Sequence, residues 1–119
     1  MPNSFGAPEI SVQDVAAKVA AKEPFIWLDV REQEELGAAA IDDERVVHVP
    51  LSVLARDRVN ALPEAALDKD AEIVVFCHHG ARSGQVTAWL RGQGWTNVLN
   101  MDGGIDRWAN SIDASVGRY

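Results

Sequence analysis

Apolar residues at Val12, Val15, Ala16, Val19 and Ala20 fall at i, i+3, i+4, i+7 and i+8, one face of a helix. Ser11-Val12-Gln13-Asp14 resembles a capping box, with Asp14 in the place usually held by Glu, and Pro24 stops the helix. Phe25-Ile26-Trp27-Leu28 then runs apolar up to Asp29, too short for a helix and suited to a strand buried on both faces. Glu32 to Ala40 is rich in helix formers. Val46-Val47-His48-Val49 reads as a short strand closed by Pro50. Ser52 is expected to cap a helix through about Asn60, with Leu54, Ala55, Val59 and Leu62 as its apolar side, and Pro63 to Leu67 as a further short turn. Glu72-Ile73-Val74-Val75-Phe76-Cys77 is the strongest strand. Val86, Trp89 and Leu90 give the next helical face, which Gly94 is placed to end as a left-handed cap. Asn97-Val98-Leu99-Asn100 predicts a last strand, and Gly103-Gly104 leads to a last helix carrying Ile105 and Trp108.

Strand and helix thus alternate about five times. That order predicts an α/β fold in three layers, α/β/α, around a mostly parallel sheet of about five strands. Residues 1–9, with Pro2, Gly6 and Pro8, are expected to form a loose arm, and residues 10–119 a single domain. In such folds the ligand site lies outside the carboxyl ends of the strands. Cys77, Asp29 and Asp102 each stand at such an end and are expected on one rim.

Composition narrows the chemistry. The chain has 119 residues, 47% hydrophobic and 24% charged, which suits one ordinary core without a metal or disulfide staple. A single cysteine makes no internal disulfide and no zinc cluster, so no metal site is expected. A net charge of −7 argues against nucleic acid and anionic membranes as partners, but not against a small anion held by local cations and amides. The N-terminus shows neither a basic nor an apolar leader segment, and no apolar run reaches membrane-spanning length. A cytoplasmic location with a free thiol is expected.

The informative segment is Cys77-His78-His79-Gly80-Ala81-Arg82-Ser83, between a buried strand and a helix. Consecutive amides in such a loop can point inward and cradle an anion, aided by the helix dipole. Gly80 permits the left-handed backbone angle that such a curl needs. Amides and the nearby cations Arg82, His78 and His79 favour the thiolate form of Cys77, which is the nucleophile. Arg82 can offer a planar fork to an oxyanion, and Ser83 is a candidate helix cap and hydroxyl donor.

Cys-x-x-Gly-x-Arg-Ser after a buried strand resembles the active-site loop of the rhodanese family. Leu28-Asp29-Val30-Arg31-Glu32 is similar to its early Leu-Asp-Val-Arg motif, Val49-Pro50-Leu51 to the segment entering its second half, and Gly103-Gly104 with Trp108 to its closing signature. The resemblance runs from about Ile10 to the C-terminus. It implies a rhodanese-like fold and a two-step transfer without cofactor. Cys77 takes the outer sulfur of a small anionic donor such as thiosulfate, and the persulfide passes it to cyanide, a thiol or a sulfur-relay protein. One departure stands out. The family's Gly-His-Ile-x-Gly-Ala stretch is replaced by Gly37-Ala38-Ala39-Ala40-Ile41-Asp42-Asp43-Glu44-Arg45, without the histidine and the second glycine.

The fold also resembles that of Cdc25-type phosphatases, which place five residues between cysteine and arginine. Here four intervene, His78 to Ala81, and the smaller cradle favours sulfur over phosphate or arsenate. A lone cysteine is usually inert core; Gly80, Arg82 and Ser83 behind it favour a reactive thiol. His78 and His79 are either polar loop residues or a source of positive potential. Asp29 and Arg31 read better as a structural pair than as an acid and an anion anchor, since buried charges persist when paired. The four tryptophans read as packing, with Trp108 alone a candidate neighbour of the pocket. The acidic clusters Glu32-Glu34-Glu35 and Asp42-Asp43-Glu44 read as solvated faces, or as a docking surface for a basic partner.

Overall fold

A computed structural model describes residues 5–119; the first part of the expected arm, residues 1–4, lies outside the described residues. Five strands form one parallel sheet: β1 (Glu9–Ile10), β2 (Ile26–Asp29), β3 (Val46–His48), β4 (Ile73–Phe76) and β5 (Val98–Met101), in the spatial order β1-β5-β4-β2-β3. Helices α1 (Val12–Ala20), α2 (Leu51–Asp57), α3 (Ala81–Gly92) and α4 (Gly104–Ser111) connect or follow them.

The two faces separate by the alternation of the strands. Ile73 and Val75 of β4 join Leu28, Leu54, Val86 and Leu90 in one core, beneath α2 and α3. Val74 and Phe76 point the other way and join Val12, Val15, Trp27, Ile105 and Trp108, beneath α1 and α4. The central strand β4 is buried throughout, as its uninterrupted apolar run requires. The three-layer expectation holds.

Four local expectations change. Glu9 and Ile10 pair with Asn100 and Met101, and the Asn100 amide donates to Pro8 at 2.9 Å, so the arm gives way to an edge strand before residue 10. Glu32 to Ala40 does not become a helix beyond one 3₁₀ turn at Gln33–Glu35. Its backbone groups are drawn elsewhere: the Ala39 carbonyl accepts from Arg31 Nη1 at 2.8 Å, and the Ala40 amide donates to Val116 O at 2.9 Å. The helix expected to be capped by Ser52 starts two residues earlier, after Pro50, and breaks at Arg58, whose φ of 58° leaves the α-region. Ser52 instead donates its hydroxyl to Glu32 Oε1 at 2.6 Å. Ser11 does cap α1, accepting from the Asp14 amide at 3.0 Å, and Gly94 has φ +106°, as a left-handed terminator should.

Candidate active site

Cys77 follows the last residue of β4 and is 1% exposed. The chain then curls through His78 and His79 to Gly80, whose φ of +108° starts α3. A side chain at Gly80 would be strained by that angle. No side-chain cap serves this helix start; the sulfur takes that place. Sγ accepts from the Gly80 amide at 3.1 Å, the Ser83 amide at 3.4 Å and the Ser83 hydroxyl at 3.3 Å. Ser83 is therefore not the cap expected from the sequence. It lies inside the first turn, fully buried, and its polar atoms face the sulfur. The amides of Ala81 and Arg82, in the same first turn, have no intrahelical carbonyl within reach.

The loop is held from behind by α4. The Ile105 amide donates to Cys77 O at 2.9 Å and the Asp106 amide to His78 O at 3.1 Å. Gly104 makes this approach possible: a Cβ there would lie 2.5 Å from both carbonyl oxygens. The Gly103-Gly104 pair thus lets one helix dock its first turn on the carbonyl side of the Cys77 loop.

Arg82 does not point an open fork at solvent. Its Nη1 and Nη2 donate to Glu35 Oε2 and Oε1 at 2.6 and 2.8 Å. The same carboxylate accepts from the Glu32 amide at 2.7 Å and from the Tyr119 hydroxyl at 2.8 Å. The Arg82 hydrogen bonds lead in holding the Glu35 carboxyl down to about 2, and Glu35 in turn raises Arg82 above the usual arginine range. Burial raises the Tyr119 phenol, which keeps its proton available for Glu35. Glu35 and Tyr119 were not singled out in the sequence as site residues, and Glu35 departs from the solvated-face reading. Its capping-box spacing to Glu32 is the one signal that marks Glu35 as anchored.

His78 is stacked on Tyr119, ring centroids 3.7 Å apart and planes 8° apart, with His79 on its other side at 3.8 Å. His79 Nδ1 lies 3.8 Å from Asp106 Oδ2, and Arg118 donates to Asp106 Oδ1 at 3.0 Å. Donor atoms of His78, His79 and Asp106 lie within 4.8 Å of one another, the spacing of a divalent-ion site, but Arg118 already neutralises the acid.

Asp29 and Arg31 form a buried pair. Arg31 Nε and Nη2 donate to the two Asp29 oxygens at 3.0 and 2.8 Å, and Nη1 reaches Ala39 O and the Tyr119 hydroxyl. Neither side chain has an unmatched charge, as the structural reading requires. Asp102, at the end of β5, accepts from Arg107 at 2.8 Å. Trp108 packs edge-on to Trp27 at 5.0 Å within the α1/α4 core rather than beside the sulfur. A cavity of about 390 Å³ lined by Trp27, Ile41 and Trp108 includes no residue of the Cys77 loop. The site is thus defined by its donors and not by cavity size. Among the described residues, no helix is long and apolar enough to cross a membrane.

The sequence profile of the rhodanese-like domain matches residues 11–111. The chain belongs to the rhodanese-like domain family. Its relatives in that family include sulfurtransferases and a putative sulfur carrier protein. It is 33% identical over 101 residues to a sulfurtransferase of Allochromatium vinosum, covering 85% of this chain and 87% of that one. It is 31% identical over 101 residues to the thiosulfate sulfurtransferase GlpE of Pseudomonas putida, covering 85% and 84%. The human single domain sulfurtransferase TSTD1 superposes with a TM-score of 0.71 at 26% identity, covering 89% of this chain and 98% of that one. Within this rhodanese-like frame, the missing histidine and glycine of residues 37–45 coincide with the stretch that Arg31 and Val116 hold in place of a helix.

Proposed function

We propose that this protein moves a sulfane sulfur from a donor such as thiosulfate to a thiophilic acceptor through a persulfide on Cys77. The observation that carries the proposal is the convergence of two amides and a hydroxyl on one buried sulfur. The thiolate is the attacking species, and these three donors are placed to hydrogen-bond it.

In the first half-reaction Cys77 Sγ attacks the outer sulfur of thiosulfate. A new S–S bond forms, the donor's S–S bond breaks, and sulfite leaves with the electron pair. In the second, the acceptor attacks the terminal sulfur and the Cys77 thiolate leaves. Cyanide becomes thiocyanate; a thiolate becomes a persulfide. No cofactor takes part in this scheme. Gly80 and Ser83 hold Sγ, and the first-turn amides of Ala81 and Arg82 receive the developing negative charge. His78 and His79 wall the loop, and Asp29 with Arg31 supports it from below. Cys77 is the only cysteine in the chain, so the sulfur must leave to another molecule. That favours, as a second reading, delivery to a partner protein. Weak thiosulfate turnover with fast protein-to-protein transfer would single out that route.

Cys77→Ser tests the scheme. The expected result is turnover at the uncatalysed background with unchanged circular dichroism and melting temperature. Turnover retained by the serine variant would remove Cys77 from the mechanism.

A further inference from the structure

The electrostatics of the rim sharpen the choice of donor. Four guanidinium groups surround the Cys77 loop, and each is matched to a carboxylate: Arg31 to Asp29, Arg82 to Glu35, Arg107 to Asp102 and Arg118 to Asp106. Glu35 is the decisive one, because it takes both terminal nitrogens of the only arginine in the loop. Four donors hold its carboxylate: two from Arg82, the Glu32 amide and the Tyr119 hydroxyl. A sulfonate would have to displace a carboxylate fixed by groups on three separate segments. Beside this neutralised rim lies an organic surface, the stacked rings of Tyr119 and His78.

We infer that Glu35 is a specificity-determining residue that withholds Arg82 from anionic donors, so that the site takes its sulfur from an uncharged alkyl persulfide in preference to thiosulfate. This rests on the Cys77 persulfide proposed above. The step balances as R–S–SH plus Cys77–S⁻ giving R–SH plus Cys77–S–S⁻. Sγ bonds to the outer sulfur, the R–S bond to that sulfur breaks, and the proton moves to the departing thiolate. The transferred sulfur keeps its oxidation level, and no outside oxidant is needed. In the protonated form that is attacked, the persulfide brings no second negative charge to a rim whose four guanidinium groups, Arg31, Arg82, Arg107 and Arg118, are each ion-paired.

The test compares single-turnover loading of the protein by thiosulfate and by 2-hydroxyethyl persulfide generated in situ, read as added sulfur by intact mass. Wild type should load faster from the alkyl persulfide. Glu35→Gln retains a residue type suited to the capping box while removing the charge that occupies Arg82. It should raise the thiosulfate rate relative to the persulfide rate about tenfold. A salt series on wild type stands independently of the variant's folding. Thiosulfate loading should hold steady or quicken with ionic strength, whereas attraction to an open cation would make it fall. Faster wild-type loading from thiosulfate, a donor ratio unmoved by Glu35→Gln, or a steep fall with salt would each overturn the role of Glu35. Failure of both donors to add sulfur would overturn the Cys77 persulfide itself, and this inference with it.

Discussion

The Cys77–Ser83 loop and the Glu32–Glu35 turn stand at the carboxyl ends of adjacent strands, β4 and β2, and they are built in opposite ways. The loop is braced by α4, but the donors to its sulfur come from its own neighbours. Gly80 takes the left-handed angle, α3 starts at once, and amides three and six residues away reach the sulfur. The turn is held largely from far along the chain, by Arg82, 47 residues away, and by Tyr119, 84 residues away. Both regions place an acceptor among hydrogen-bond donors. In the loop the acceptor is the buried Cys77 sulfur; in the turn it is a carboxylate that Arg82, the Glu32 amide and Tyr119 engage. The difference teaches that adjacent strand ends can divide the work, one gathering donors on a sulfur from within its own loop and the other pairing that loop's arginine from outside it.

The largest effect on this arrangement should come from below it. Asp29→Asn leaves Arg31 charged, buried and half-paired, and should destabilise the fold by about 3–5 kcal/mol. Urea unfolding measures this directly. A loss under about 1 kcal/mol would show that the pair does not pin the Glu35 turn through Ala39. Ser83→Ala acts on the loop alone. Removing the hydroxyl donor should slow sulfur loading about tenfold, since a hydrogen bond to a charged group is stronger than a neutral one, while stability changes by about 1 kcal/mol or less. Stopped loading kinetics beside a melting curve would separate the two readouts, and an unchanged rate would exclude the hydroxyl from sulfur stabilisation.

The smallest effect belongs to the turn and appears in acid. Glu35 is held below its ordinary value of 4.5, to about 2, chiefly by Arg82. A carboxyl lowered in the folded state contributes stability that is present above the ordinary value and lost as pH falls through the folded one. Wild type should therefore lose its advantage over Glu35→Gln between about pH 4.5 and pH 2. A stability difference that stays constant over that range would show that the carboxylate's charge is not what holds the turn.

What was legible in the sequence follows the same division. The uninterrupted run Ile73–Phe76 announces a central strand, and Gly80 and Ser83 behind Cys77 announce a strand-to-helix loop that curls onto the sulfur, because that geometry is set within a few residues. Glu9–Ile10 was not legible as a strand, since two residues carry no period and their pairing with β5 comes from 91 residues away. Glu35 read as a surface acid because nothing adjacent to it predicts Arg82 or Tyr119. Arg82 itself was legible as a cation of the loop, but its occupied fork was not, for the same reason. Ser83 was recognised as a hydroxyl donor and misplaced as a cap, because sequence spacing does not reveal that a sulfur accepts the amide bonds that a capping side chain would take.

The most direct test of the Cys77 persulfide is the intact mass of the protein after exposure to a sulfane-sulfur donor and removal of the excess, with and without cyanide. Thiosulfate and the alkyl persulfide are applied in parallel. The expected result is one added sulfur atom, localised to Cys77 and erased by cyanide. An unchanged mass with both donors, or added sulfur that persists through cyanide, would contradict it.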